Sequence, residues 1–107
     1  MSWEPEYRLL TTAIREAGAE ALRLATDGFQ TYTKPDHSPV TSADHAVNDI
    51  LMDRLLGQFP NDGWLSEETP DTDARLTKPR VWVIDPIDGT KAFIRHEPEY
   101  CISVALL

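Results

Sequence analysis

Apolar positions recur at helical spacing over residues 6–26. Leu10, Ala13, Ile14, Ala17, Ala21 and Leu24 fall on one side, and Thr12, Arg15, Glu16, Glu20 and Arg23 on the other. Gly28 is placed to stop this helix. Residues 29–33 alternate as a short strand does, and the next segment, with Pro35 and Pro39, reads as a loop. Thr41-Ser42-Ala43-Asp44 has the form of a capped helix start. Ala43, Val47, Ile50, Leu51 and Leu55 then give a buried stripe to about residue 58. A turn at 58–63 leads to a short strand at Trp64-Leu65, and residues 69–80, polar and interrupted by proline, read as a surface loop. Residues 81–84 and 100–107 read as buried strands. The expected fold class is α+β or layered α/β, with two long helices packed on a sheet that includes residues 81–85 and 100–107. A strand as apolar as residues 102–107 is expected to have neighbours on both sides, so the chain reads as the front portion of a larger protein.

Composition narrows the classes. With 107 residues the chain suits one small domain or part of one. A net charge of −8 argues against a nucleic-acid polymer as partner. No apolar run approaches the ~20 residues of a transmembrane helix, and residues 1–6 lack the pattern of a signal peptide. With one cysteine, these features favour a cytoplasmic protein. Cys101 is expected to pack as a small hydrophobe and the tryptophans to lie in or near the core. His37, His45 and His96 show no metal-ligand spacing and are expected at the surface.

The chemistry concentrates in Trp82-Val83-Ile84-Asp85-Pro86-Ile87-Asp88-Gly89-Thr90. Asp85 and Asp88 flank a turn that lets two hard carboxylates and the Ile87 carbonyl face one point, as magnesium prefers. Backbone N–H groups at Gly89-Thr90, where a helix can start, suit a phosphate. Taken alone, D-P-x-D fits a turn with aspartate caps equally well. Glu67-Glu68 alone fits a solvated surface pair, or acids at a strand end that join a metal site. Asp44 alone reads first as a helix-start acid.

Three segments, in order, carry a resemblance. Pro39-Val40-Thr41-Ser42-Ala43-Asp44, Trp64-Leu65-Ser66-Glu67-Glu68-Thr69 and Trp82 through Thr90 resemble the P-V-T-x-A-D, S-E-E and W-x-[IV]-D-P-[IL]-D-G-T elements of the inositol monophosphatase superfamily. The resemblance implies that family's layered α/β sandwich and a magnesium-dependent, lithium-sensitive hydrolysis of phosphate monoesters, with no covalent enzyme intermediate. It implies that Glu67, Asp85 and the Ile87 carbonyl hold a first magnesium ion, and that Asp85 and Asp88 hold a second. Glu68 supports the site. Asp44 and Thr90 orient and deprotonate the attacking water. Asp88, Gly89 and Thr90 lie at the substrate phosphate, with the Gly89 and Thr90 N–H groups holding it. Two or three ions are expected in the complete enzyme.

Lys34-Pro35-Asp36-His37-Ser38-Pro39-Val40-Thr41 and Asp88-Gly89-Thr90-Lys91-Ala92-Phe93-Ile94 are similar to runs in the CysQ-type 3′(2′),5′-bisphosphate nucleotidases. That branch implies removal of the 3′-phosphate from 3′-phosphoadenosine 5′-phosphate, clearing a by-product of sulfate assimilation. D-G-T-K-x-F also occurs in histidinol-phosphatases, and hydrolysis of inositol phosphate or histidinol phosphate is the alternative. The family's chains are more than twice this length, and their second half adds an aspartate to the second metal. Residues 1–107 therefore read as an N-terminal metal-binding portion, weakly active or inactive alone, with the other half or a homodimer partner to complete it. A non-catalytic metal-binding module is the reading from a different class.

Overall fold

The structure is a computed structural model and describes residues 2–107. Helix α1 spans Glu4–Asp27, slightly longer at both ends than its apolar pattern. Pro5 lies in the first turn, where its missing N–H costs nothing. The helix buries Ala13, Ala17 and Ala21, one small side chain per turn. That stripe gives helix α2 (Ser42–Gln58) a smooth surface to approach. Helix α2 answers with Ala43, Val47, Leu51 and Leu55, all completely buried. Each fully buried leucine contributes on the order of 1.5–3 kcal/mol over leaving it in water.

The sheet has three strands in the order β3 (Gly63–Ser66), β4 (Val81–Asp88), β5 (Cys101–Leu106). Strands β3 and β4 run parallel, with Trp64 opposite Trp82 and Ser66 opposite Ile84. Strand β5 returns antiparallel to β4. Trp82, Ile84 and Ile87 of β4 close the core beneath α2, together with Phe93 from the one-and-a-half-turn helix α3 (Thr90–Ile94). The Phe93 ring packs between Phe29, at 4.8 Å between centroids, and the edge of Tyr100, at 5.1 Å. At the opposite end of β4, Arg80 is held by Asp62 (2.7 and 3.0 Å) and Glu6 and lies over the rings of Trp3 and Phe59. The hydrogen bond from Arg80 holds the Asp62 carboxyl below its usual range.

Several expectations are corrected. Residues 39–41 form strand β2 (Pro39–Thr41), paired antiparallel with β1 (Thr31–Thr33), where the sequence shows only the end of a loop. Proline is tolerated because it opens an edge strand. The segment Asp85–Asp88 is not a free turn. Strand β4 continues through it, with the ladder to β5 slipping between Asp85 and Asp88, where buried Pro86 has no N–H to give. The 69–80 loop contains a 3₁₀ turn, Asp73–Thr77, capped by Thr72.

Among the described residues β5 pairs on one side only and is half-buried at best. Alternate residues point outward, Cys101 among them, so this thiol is exposed instead of packed. Trp82 is core and Trp64 half-buried, but Trp3, before the first helical turn, is 55% exposed. The three histidines are exposed, as expected. No helix of the described chain is long and apolar enough to cross a membrane.

Candidate active site

The parallel pairing of β3 and β4 builds the site. Because Ser66 lies opposite Ile84, the chain leaves β3 level with Asp85, and the Glu67 N–H donates to the Ile84 carbonyl (3.3 Å). Two acids thus stand side by side at the carboxyl ends of adjacent parallel strands, where open α/β sheets bind their ligands. A cleft of about 400 Å³ opens there. Glu67, Glu68, Asp85, Ile87, Asp88, Gly89 and Thr90 all line it.

Asp44, the remaining sequence candidate, lies behind this wall, 1% exposed. The two carboxylate oxygens of Asp44 have separate partners. Oδ2 accepts from the Thr41 N–H (2.8 Å) and Thr41 Oγ1 (2.6 Å), completing a capping box at the start of α2. Oδ1 accepts from Thr90 Oγ1 (2.9 Å), 46 positions along the chain. Thr90 Oγ1 also lies 3.2 Å from the Ile87 carbonyl. The threonine hydroxyl therefore aims its single proton inward, and its lone pairs are left for a donor in the cleft.

Gly89 makes the turn from β4 into α3 with φ +98°, in the left-handed region. A Cβ here would also lie 2.7 Å from the Glu99 carbonyl oxygen. Backbone conformation and crowding therefore both require glycine. The first hydrogen bond of α3 runs from the Phe93 N–H to the Gly89 carbonyl (3.0 Å), so the core ring of Phe93 fixes the site's wall.

Two basic residues and one amide complete the picture. Lys34 Nζ lies 3.0 Å from Glu68. Burial works to lower the pKa of this ammonium, but Glu68, with Glu67 and Asp44, outweighs burial and raises it. Lys91, beside Thr90, also lines the cleft. Asn48, one turn after Asp44 on α2, is buried at 3% exposure and bonds to Ser66 and Thr69. The sequence carried one signal for it, a polar residue bordering the 43/47/51/55 stripe.

The acids open onto the cleft without closing on one point. Among the described residues no three Asp, Glu, His or Cys side chains form a finished metal cluster. The donor set nevertheless fits a hard divalent cation. Carboxylates of Glu67, Asp85 and Asp88 and the Ile87 carbonyl share the cleft, and all are oxygen donors. Asp85 registers the strain. Burial raises its pKa, and Asp88, Glu67, Asp44 and Glu68 raise it further.

A folded-state pKa above the unfolded value means that Asp85 favours folding below the ordinary carboxylate range, and that this contribution is lost as pH rises through its folded pKa. A bound cation offsets the loss. Magnesium is therefore expected to raise the melting temperature by several degrees at pH 7 and by much less near pH 4, where protons compete. A melting temperature indifferent to magnesium at both pH values would remove the cation from this cleft.

Comparison with known proteins is consistent with this geometry. The profile of the "Inositol monophosphatase family" matches residues 2–107. The 3′(2′),5′-bisphosphate nucleotidase CysQ of Escherichia coli (strain K12) is 39% identical over 97 residues, covering 87% of this chain and 39% of the relative. The histidinol-phosphatase of Mycobacterium tuberculosis is 44% identical over 107 residues, covering 100% of this chain and 40% of the relative. A crystal structure of an IMPase/NADP phosphatase complexed with Mg2+ and phosphate superposes with a TM-score of 0.87 at 23% identity, covering 100% of this chain and 41% of that one. The chain thus spans about 40% of the length of the curated relatives it matches.

Proposed function

The chain belongs to the inositol monophosphatase family, and on that premise we propose that residues 1–107 are the N-terminal metal-binding portion of a magnesium-dependent phosphatase domain. The reaction is hydrolysis of a small phosphate monoester by an activated water. The observation that carries this reading is the hydrogen bond from Thr90 to buried Asp44 at the wall of an acid-lined cleft. A surface pair of acids needs no such relay.

Bound magnesium supplies Lewis acidity and neutralises the negative charge of cleft and substrate. Glu67, Asp85, Asp88 and the Ile87 carbonyl are the residues that would hold it, with Glu68 kept in place by Lys34. A structure of the same fold was solved with Mg2+ and phosphate, which supports the use of a divalent cation. The lone pairs of Thr90 Oγ1 accept a hydrogen bond from the attacking water. As that water loses its proton to Thr90, the threonine proton passes to Asp44 Oδ1, 2.9 Å away. Asp44 Oδ2 stays committed to Thr41, which fixes the carboxylate's orientation. The N–H groups of Gly89 and Thr90 lie where α3 begins at the cleft and hold the substrate phosphate. Lithium sensitivity belongs to the same proposal.

The substrate we favour is 3′-phosphoadenosine 5′-phosphate, on the Lys34–Thr41 run and the identity to CysQ. Histidinol phosphate is the second reading, because the 44% identity to a histidinol-phosphatase extends over the whole chain. The test is magnesium-dependent phosphate release from these two compounds and from inositol 1-phosphate by the chain completed with the remaining length of a relative. Release from the nucleotide in preference to the others is expected. Preference for histidinol phosphate would exchange the two readings. Magnesium binding without release from any substrate, with the remaining length of a relative supplied, would leave a non-catalytic metal-binding module.

A further inference from the structure

We infer that Asn48 is a positioning residue that sets the metal affinity of the cleft by clamping both ends of the turn bearing Glu67 and Glu68; the inference rests on the metal-centre reading given above. Asn48 stands on α2 one turn beyond Asp44 and is 3% exposed. Its Oδ1 accepts from Ser66 Oγ, the last residue of β3. Its Nδ2 donates to Thr69 Oγ1 at 2.9 Å. Ser66 and Thr69 are the residues on either side of Glu67-Glu68.

The clamp continues inside the turn. Ser66 Oγ, while donating to Asn48, accepts from the Glu68 N–H (3.2 Å). Thr69 Oγ1, while accepting from Asn48, also accepts from Trp64 Nε1 (3.2 Å). One amide with one donor face and one acceptor face therefore meets two hydroxyls of opposite need. An aspartate offers no donor to Thr69, and a lysine no acceptor to Ser66. The consequence concerns Glu67. This acid is exposed and has no side-chain partner among the hydrogen bonds that hold the turn, so only the backbone of the turn aims it. Asn48 and Asp44 share one rigid helix. The helix thus ties the acid that acts through Thr90 to the turn that carries Glu67.

Manganese serves as the probe, titrated into the whole chain and its variants. Asn48→Ala is expected to weaken manganese binding by about 10–100-fold, the range for residues that orient metal ligands. Thr69→Val should do the same, and Thr69→Ser, which keeps the hydroxyl, should restore near-original affinity. Combining Asn48→Ala with Glu67→Gln should cost less than the two losses added, because both act through one ligand. In metal-free protein, amide exchange at Glu68 should accelerate in Asn48→Ala.

A fall in melting temperature with manganese affinity unchanged would overturn the inference, since a merely structural residue behaves that way. If Asn48→Ala fails to fold, the Thr69→Val and Thr69→Ser pair decides in its place. If the unmodified chain binds no manganese while Asn48→Ala still frees the Glu68 amide, the metal-centre reading falls and the clamp on the turn stands.

Discussion

In the chain completed with the remaining length of a relative, Asp44→Asn is expected to lower phosphate release by about 10²–10⁴-fold, the usual worth of a positioned acid–base group, with the fold intact. The division of labour between the two carboxylate oxygens is the reason. An asparagine oxygen placed where Oδ2 lies still accepts from the Thr41 N–H and hydroxyl, so the cap of α2 survives. Its amide nitrogen then faces Thr90 Oγ1, where Asp44 Oδ1 accepts today. Thr90 must become the acceptor of that contact and turn its own proton elsewhere, with the Ile87 carbonyl already within 3.2 Å. No group remains to take a proton from the threonine. The melting temperature and manganese affinity should stay near their original values. Loss of folding would show that the cap does not survive the substitution, and retained turnover would remove Asp44 from the proton path.

Gly89→Ala carries the second large effect, on stability as well as on activity. A left-handed conformation costs a residue with a Cβ about 1–2 kcal/mol. Overpacking against a backbone carbonyl adds about 1–3 kcal/mol, and the nearest atom here is the Glu99 oxygen at 2.7 Å, which belongs to the backbone and cannot swing aside. The melting temperature in metal-free buffer is expected to fall by roughly 10 °C or more. Relief requires the β4–α3 corner and residues 99–100 to separate, and movement of the corner displaces Thr90 from Asp44. A loss of only a degree or two would mean that the corner is softer than its packing implies.

Much of this was legible in the sequence, for identifiable reasons. Helices α1 and α2 announce themselves because burial on one side spaces the buried residues at helical intervals, and the core of β4 does so as an unbroken apolar run. The candidate acids are local in sequence, each at the end of an apolar run, which is where strands deliver their residues. The features that escaped depend on pairing. Strand β1 lies within the alternating run at 29–33, but its partner β2 is three residues long, too short for a period, and Pro39 disguises it. The outward face of Cys101 follows from the register of β5 on β4, with Asp88 opposite Cys101, and no window of sequence contains that register. Trp3 is exposed because it precedes α1 instead of lying in its stripe. Asn48 and Ser66 are 18 positions apart, so the clamp they form cannot be read from either neighbourhood.

The parallel pairing of β3 with β4 also governs when the site comes into being. Helices α1 and α2 form their hydrogen bonds within themselves, but β3 gains its ladder to β4 only after the whole 67–80 segment has closed on itself. Such non-local closure is slow relative to helix formation. A chain with both helices packed and β3 still unregistered would carry nearly its full helical dichroism, yet its Glu67 and Asp85 would not have met. Recovery of metal binding during refolding should therefore lag behind the helical signal, and the lag measures how long the sheet takes to find its register.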